Sequence, residues 1–85
     1  MPNELRPSVQ WFAKQMEQKL RANDHKGGWE GESPERLLRK LVDEASELSD
    51  SLYIEQDPET VIAECADVAN FAMMIADIVR QGGEA

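Results

Sequence analysis

Basic side chains are scarce in this sequence: nine Lys and Arg stand against 17 Asp and Glu, for a formal net charge of -8. A field of that sign opposes nucleic acid, which needs clustered Lys and Arg against its phosphates, and it disfavours anionic membranes. Cysteine is scarcer still. Cys65 is the only one, so no internal disulfide forms, which suits a reducing compartment or is simply neutral. No apolar run approaches the roughly 20 residues that span a bilayer. The opening MPNELRPSVQ lacks the basic-then-apolar form of a secretory signal. These absences together set the expectation of a cytoplasmic protein with neither nucleic acid nor membrane as partner. His25 is the single histidine, which argues against zinc and against di-iron bundles that pair Glu with Glu-x-x-His.

No stretch reads as a strand, and there are no repeats, low-complexity segments or linkers. With 85 residues the chain makes one domain, 1–85. A core that small is marginal alone, and oligomerisation is a common remedy. The spacing predicts an all-α protein of three helices. The first runs from about Pro7 to Asn23, with Ser8 as its N-cap and Val9, Phe12, Ala13, Met16 and Leu20 at helical spacing. The stretch from Asn23 to Ser33 reads as a loop carrying Lys26-Gly27-Gly28-Trp29. Ser33 caps the second helix, Pro34 opens it, and Leu37, Leu38, Leu41, Ala45, Leu48 and Leu52 form its core stripe to near Glu55. Asp57 and Pro58 start the third helix, which continues to about Arg80, where Gly82-Gly83 stops it.

Four acids stand out against this frame. Glu44-x-x-Glu47 lies on the second helix; Glu64-x-x-Asp67 comes next, on the third, after sixteen intervening residues. Residues three apart share a helix face, so each pair makes a two-carboxylate claw. A short turn around Gln56-Asp57-Pro58 makes the two helices antiparallel neighbours and converges the claws. On the third helix, Val68, Phe71, Ile75 and Ile78 fall within roughly 40° of Glu64, with Asp67 about 60° away, while Glu59, Asn70, Asp77 and Gln81 mark the solvent side. On the second, Glu44 and Glu47 flank the leucine stripe. A buried carboxylate without a partner costs more than such a core supplies, and the sequence offers few cations, so a divalent metal is the expected counter-charge. An all-oxygen donor set favours Mg²⁺, with Mn²⁺ as a substitute.

The spacing of Glu44, Glu47, Glu64 and Asp67, set in LVDEASEL (Leu41–Leu48) and ECADVANF (Glu64–Phe71) with SPERLL (Ser33–Leu38) before them, resembles the MazG-like all-α nucleoside triphosphate pyrophosphohydrolases. The resemblance covers about Phe12 to Asp77. It implies a protomer of three helices that completes a four-helix-bundle-like core as a homodimer or homotetramer. It also implies Mg²⁺ held by the four acids and cleavage of a nucleoside triphosphate to monophosphate and pyrophosphate. The Lys26–Trp29 stretch with Asn23 is similar to small phage-type members acting on purine deoxynucleotides such as dATP and dGTP. The clear fourth helix of the longer members, with its basic and Asn residues, is missing.

Phosphoryl transfer needs charge neutralised on the phosphate oxygens and a positioned water, both of which metal ions supply. Glu44, Glu47, Glu64 and Asp67 are the expected catalytic and metal-binding set, with Glu47 as the carboxylate that accepts the proton of water. Their crowding should raise the pKa of at least one of them without metal. Lys26 is either a phosphate contact beside a turn whose amides an anion can approach or an ordinary surface lysine. Trp29 stacks on a base, covers the site, or ties the loop to the core. Asn70 reaches substrate, orients a ligand or touches a partner subunit. Lys40 forms an i,i+4 pair with Glu44. Trp11 reads as packing or interface, Cys65 as a small core side chain, and Met73-Met74 as helix packing. The rival reading is a noncatalytic acidic helical module that displays its carboxylates outward to a basic partner.

Overall fold

The computed structural model describes residues 4–82, and three α-helices with no strand account for them: α1 (Pro7–Ala22), α2 (Pro34–Asp50) and α3 (Pro58–Arg80). All three begin with proline, whose fixed φ suits the first helical position and whose missing N–H costs nothing there. Two starts carry side-chain caps. The Ser33 hydroxyl accepts from the Arg36 amide, and the Asp57 carboxylate from the Thr60 amide and hydroxyl. Ser8 caps nothing: Pro7 holds the first position, so the cap falls on Arg6, whose carbonyl accepts from Val9 and Gln10. Gly83, expected to help stop α3, lies outside the described residues.

A π turn, Ser51–Glu55, prolongs α2. The buried Ser51 returns its hydroxyl to the Glu47 carbonyl, and its own carbonyl accepts from Gln56, five residues on. Gln56 then takes the left-handed conformation at φ 58° and reverses the chain into α3. The wider turn rotates the side chains after Ser51 away from α3, so Leu52 is exposed rather than part of the core stripe, as are Tyr53 and Ile54.

The long helix α3 is the centre of the molecule. Helices α1 and α2 each pack on it and do not pack on each other. The Asn70 amide of α3 donates to the Met16 carbonyl of α1 at 3.0 Å. Three residues on along α1 and three back along α3, Lys19 meets Asp67. That register makes α1 antiparallel to α3. Since α2 is also antiparallel to α3 through the short turn, the connection from Asn23 to Ser33 must run back along the length of α3. Trp29 marks its far end, donating from the indole nitrogen to Asp77. Asp24–Lys26 form a short 3₁₀ turn at its start, closed by Gly27 at φ 92°, a conformation glycine adopts without penalty.

Flanked on two sides, α3 has no broad solvent face. Asn70 is buried at 4% exposure and Asp77 is partly buried, against the expectation that both face solvent. Around them the core is thin: Leu37 and Ala66 are the buried hydrophobic residues among those described. On α2 the apolar residues divide between two faces. Leu37, Leu41 and Leu48 turn inward, whereas Leu38, Val42 and Ala45 lie exposed beside them. The accessible surface of 6316 Å² exceeds the roughly 5,100 Å² of a compact monomer of this mass. None of the described helices is long and apolar enough to cross a membrane.

Candidate functional site

Glu44 comes after Leu37 and Leu41 and precedes Leu48 at spacings of four, three and four, so it lies within the inward stripe of α2 rather than beside it. Glu47, one position off that line, is exposed. From α3, Glu64 comes to the same place, because the hairpin sets α2 and α3 antiparallel. One carboxylate oxygen from each of Glu44, Glu47 and Glu64 lies within 4.8 Å of the others. Asp67 stands apart from this trio. Its Oδ2 is 3.4 Å from Lys19 Nζ of α1, an ion pair with no signature in the local sequence.

Three carboxylates this close cannot all stay ionised without a counter-charge. The Glu44 carboxyl is pushed up to about 7, first by burial, then by a hydrogen bond with Glu47 that favours a proton on Glu44, and by the charges of Asp67, Glu47 and Glu64. Glu64 is also raised. Burial leads again, then Glu47 and Asp67, while Glu44 and the Lys19 charge pull the other way. The Oε2 atom of Glu64 is sealed from solvent and has no hydrogen-bond partner. A buried acceptor left unpaired carries its full desolvation cost. A cation relieves this strain, and hard oxygen donors suit Mg²⁺ or Mn²⁺. The residues present fit such an ion.

Between α1 and α2, where the two helices do not meet, a cleft of about 770 Å³ opens above α3. Asp67, Phe71 and Met74 form its floor, at spacings of four and three along α3. Glu44 closes one wall, and the Asn23–Ser33 connection arches over the opening, bringing Asn23, Lys26 and Trp29 to its rim. So the connection expected to carry substrate contacts does border the acids. Asn70 does not: its amide is committed to Met16, which makes it a tie between α1 and α3.

Other assignments change as well. Lys40 pairs with Glu32 at 3.2 Å rather than with Glu44. Trp29 does tie its loop to α3, through Asp77. Asp77 accepts in addition from Arg80 at 2.8 Å, and these two donors, Trp29 first, hold its carboxyl below the usual range. His25 is exposed on the 3₁₀ turn and does not line the cleft. Trp11 is about half exposed, its ring 6.0 Å from that of Phe12. No family model, curated protein or solved structure matches the chain.

Proposed function

We propose that the chain is a Mg²⁺-dependent nucleoside triphosphate pyrophosphohydrolase that cleaves a (deoxy)nucleoside triphosphate, of the dATP or dGTP kind, to monophosphate and pyrophosphate. The observation that carries the reading is the trio of Glu44, Glu47 and Glu64, drawn together from two helices with a sealed, unpartnered oxygen on Glu64. The MazG-like pattern of the four acids and the cleft beside them support it. An outward-facing acidic module would not seal an oxygen of Glu64 from solvent.

Glu44, Glu47 and Glu64 would hold the metal, with Asp67 at the cleft floor as the fourth donor. An ion held there would supply charge neutralisation at phosphate oxygens and a more nucleophilic water. Glu47, the exposed member of the trio, would orient that water and accept its proton through the oxygen not given to the metal. Phe71 and Met74 give the cleft an apolar floor for a base, and Trp29 offers a ring edge at its rim. The exposed Leu38 and Val42 of α2, with Val9 and Trp11 of α1, support assembly of the protomer into a homodimer or homotetramer.

A panel of ribo- and deoxynucleoside triphosphates incubated with Mg²⁺ tests the activity. The expected products are monophosphate and pyrophosphate in equal amounts, lost in Glu64→Gln and Asp67→Asn. Orthophosphate as the sole phosphate product, or full turnover by either variant, would overturn the proposal.

A further inference from the structure

The chain has four lysines, and three of them, Lys19, Lys26 and Lys40, line the one cleft. They arrive from three separate elements: α1, the 3₁₀ turn and α2. In a chain of net charge -8, no general excess of basic residues accounts for this gathering. The lysines also differ in how they are held. Lys40 is paired with Glu32 at 3.2 Å, and Lys26 has no ion-pair partner among the described residues. Lys19 reaches Asp67 at 3.4 Å, from a side chain only 36% exposed.

Asp67 is thus occupied by an ammonium group while its neighbour Glu64 keeps an unpartnered oxygen. A dication drawn to the acids competes with Lys19 for Asp67. Once displaced, the Lys19 ammonium remains at the wall of the cleft that Lys26 and Lys40 also line, with no carboxylate to itself. Three ammonium groups beside an acid-bound cation form a surface for a linear phosphate anhydride, whose oxygens accept from Lys and coordinate hard cations at once.

We propose that Lys19 is an exchangeable counter-ion. It pairs with Asp67 when the acids hold no metal and transfers to the phosphate chain of the ligand when they do, with Lys26 and Lys40 completing the anion wall. The proposal rests on the pyrophosphohydrolase reading for the metal and deepens it, by naming the groups that hold the triphosphate. It makes Lys19 act in opposite directions on two ligands: against the metal alone, and for the polyphosphate.

Calorimetric titration of the full chain with Mn²⁺ alone, and then with inorganic tripolyphosphate at saturating Mn²⁺, tests it with no turnover required. In Lys19→Met, Mn²⁺ affinity is expected to rise about threefold, the scale of a partly exposed ion pair, and tripolyphosphate affinity to fall about tenfold or more. Lys19→Gln should repeat both changes, which covers a failure of the first variant to fold. Lys14→Met, which removes the same charge outside the cleft, should alter tripolyphosphate binding by less than about twofold. An unchanged or weaker Mn²⁺ affinity in both Lys19 variants would overturn the exchange, as would undiminished tripolyphosphate binding. If tripolyphosphate binds as expected but no nucleoside triphosphate is hydrolysed, the anion wall stands and the enzymatic reading fails. If nucleotides are hydrolysed and Lys19→Met leaves KM unchanged, the reverse holds.

Discussion

The indole nitrogen of Trp29 donates to the Asp77 carboxylate at 3.0 Å, joining residues 48 apart in the chain. This bond fixes the far end of the connection that arches over the cleft, and Arg80 braces the same carboxylate from the next turn of α3. The near end is anchored differently, by Asn23 donating to the Lys19 carbonyl and by the 3₁₀ turn. Lys26 ends that turn, Gly27 and Gly28 follow it, and all three are exposed.

Removal of the Asp77 carboxylate should therefore free the arch without touching the acids. In a Trp11→Phe background, where Trp29 is the sole tryptophan, Asp77→Ala is expected to shift emission to the red and to speed proteolysis after Lys26. KM for nucleotide should rise several-fold, with a smaller change in kcat, because the arch positions rather than reacts. Asp77 is held below its ordinary value, so its contribution is present above the unfolded pKa and lost as pH falls through the folded one. Wild-type emission should therefore hold through the ordinary carboxylate range near about pH 4 and shift to the red only on further acidification; a red shift complete above that pH would count against the anchor.

Glu44 has the opposite sign. Its folded pKa, about 7, lies above its ordinary 4.5. A raised pKa means that the stability is fully present below the unfolded value and lost as pH rises through the folded one. In EDTA, Glu44→Gln and wild type should differ little at about pH 4.5, and by about pH 8 the variant should be the more stable, by up to about 3 kcal/mol. Saturating Mg²⁺ should reverse the order at the higher pH, since the dication binds the folded wild type and stabilises it by mass action, about 2.7 kcal/mol at about 100 times Kd. Urea melts across pH, with and without Mg²⁺, check both halves. A pH-independent difference between the two proteins would mean that Glu44 carries no burden of crowding.

The three helices are legible in the sequence because their starts are written locally: Ser33-Pro34 and Asp57-Pro58 each combine a cap with a pre-set φ, and α3 ends at Arg80 as its sequence signals. The convergence of Glu44, Glu47 and Glu64 is legible too, from i,i+3 spacing and a short turn. The features that escape depend on which helix lies beside which. A single apolar face on α3 cannot be told from two narrower ones, so the spacing assigns Asn70 and Asp77 to solvent although α1 and the arch cover them. The leucines of α2 merge into one stripe because Leu37 and Leu38 are adjacent in sequence, yet they diverge to buried and exposed faces. The pairing of Lys19 with Asp67 joins distant parts of the chain and has no local signature at all.

Asn70 offers a test of the register that produces that pairing. Its Nδ2 donates to the Met16 carbonyl, and its Oδ1 is buried without a partner. Asn70→Ala breaks the tie and leaves the Met16 carbonyl with one acceptor position unfilled, so a loss of about 1–3 kcal/mol is expected in chemical denaturation. The more telling consequence is at Asp67, since slippage of α1 withdraws Lys19. Mn²⁺ affinity of Asn70→Ala should then move in the same direction as that of Lys19→Met. An equal loss of stability with unaltered Mn²⁺ binding would confine Asn70 to packing.

The outward stripe of α2 bears on assembly. Leu38 and Val42 are 53% and 58% exposed, one helical turn apart, and Val9 and Trp11 of α1 are about half exposed as well. Apolar surface of this extent is worth about 25 cal/mol per Å² when covered, and the thin core of the protomer leaves little other source of stability. A charge placed in the stripe costs a free monomer almost nothing, because the position is open to water, whereas inside an interface it would be buried unpaired. Val42→Glu is thus expected to turn a dimer or tetramer into a monomer in sedimentation equilibrium, and to lower the melting temperature in a way that depends on protein concentration. Val42→Ala should leave the assembly in place. If wild type and Val42→Glu sediment as the same species with equal melting temperatures, the stripe is not the contact between copies.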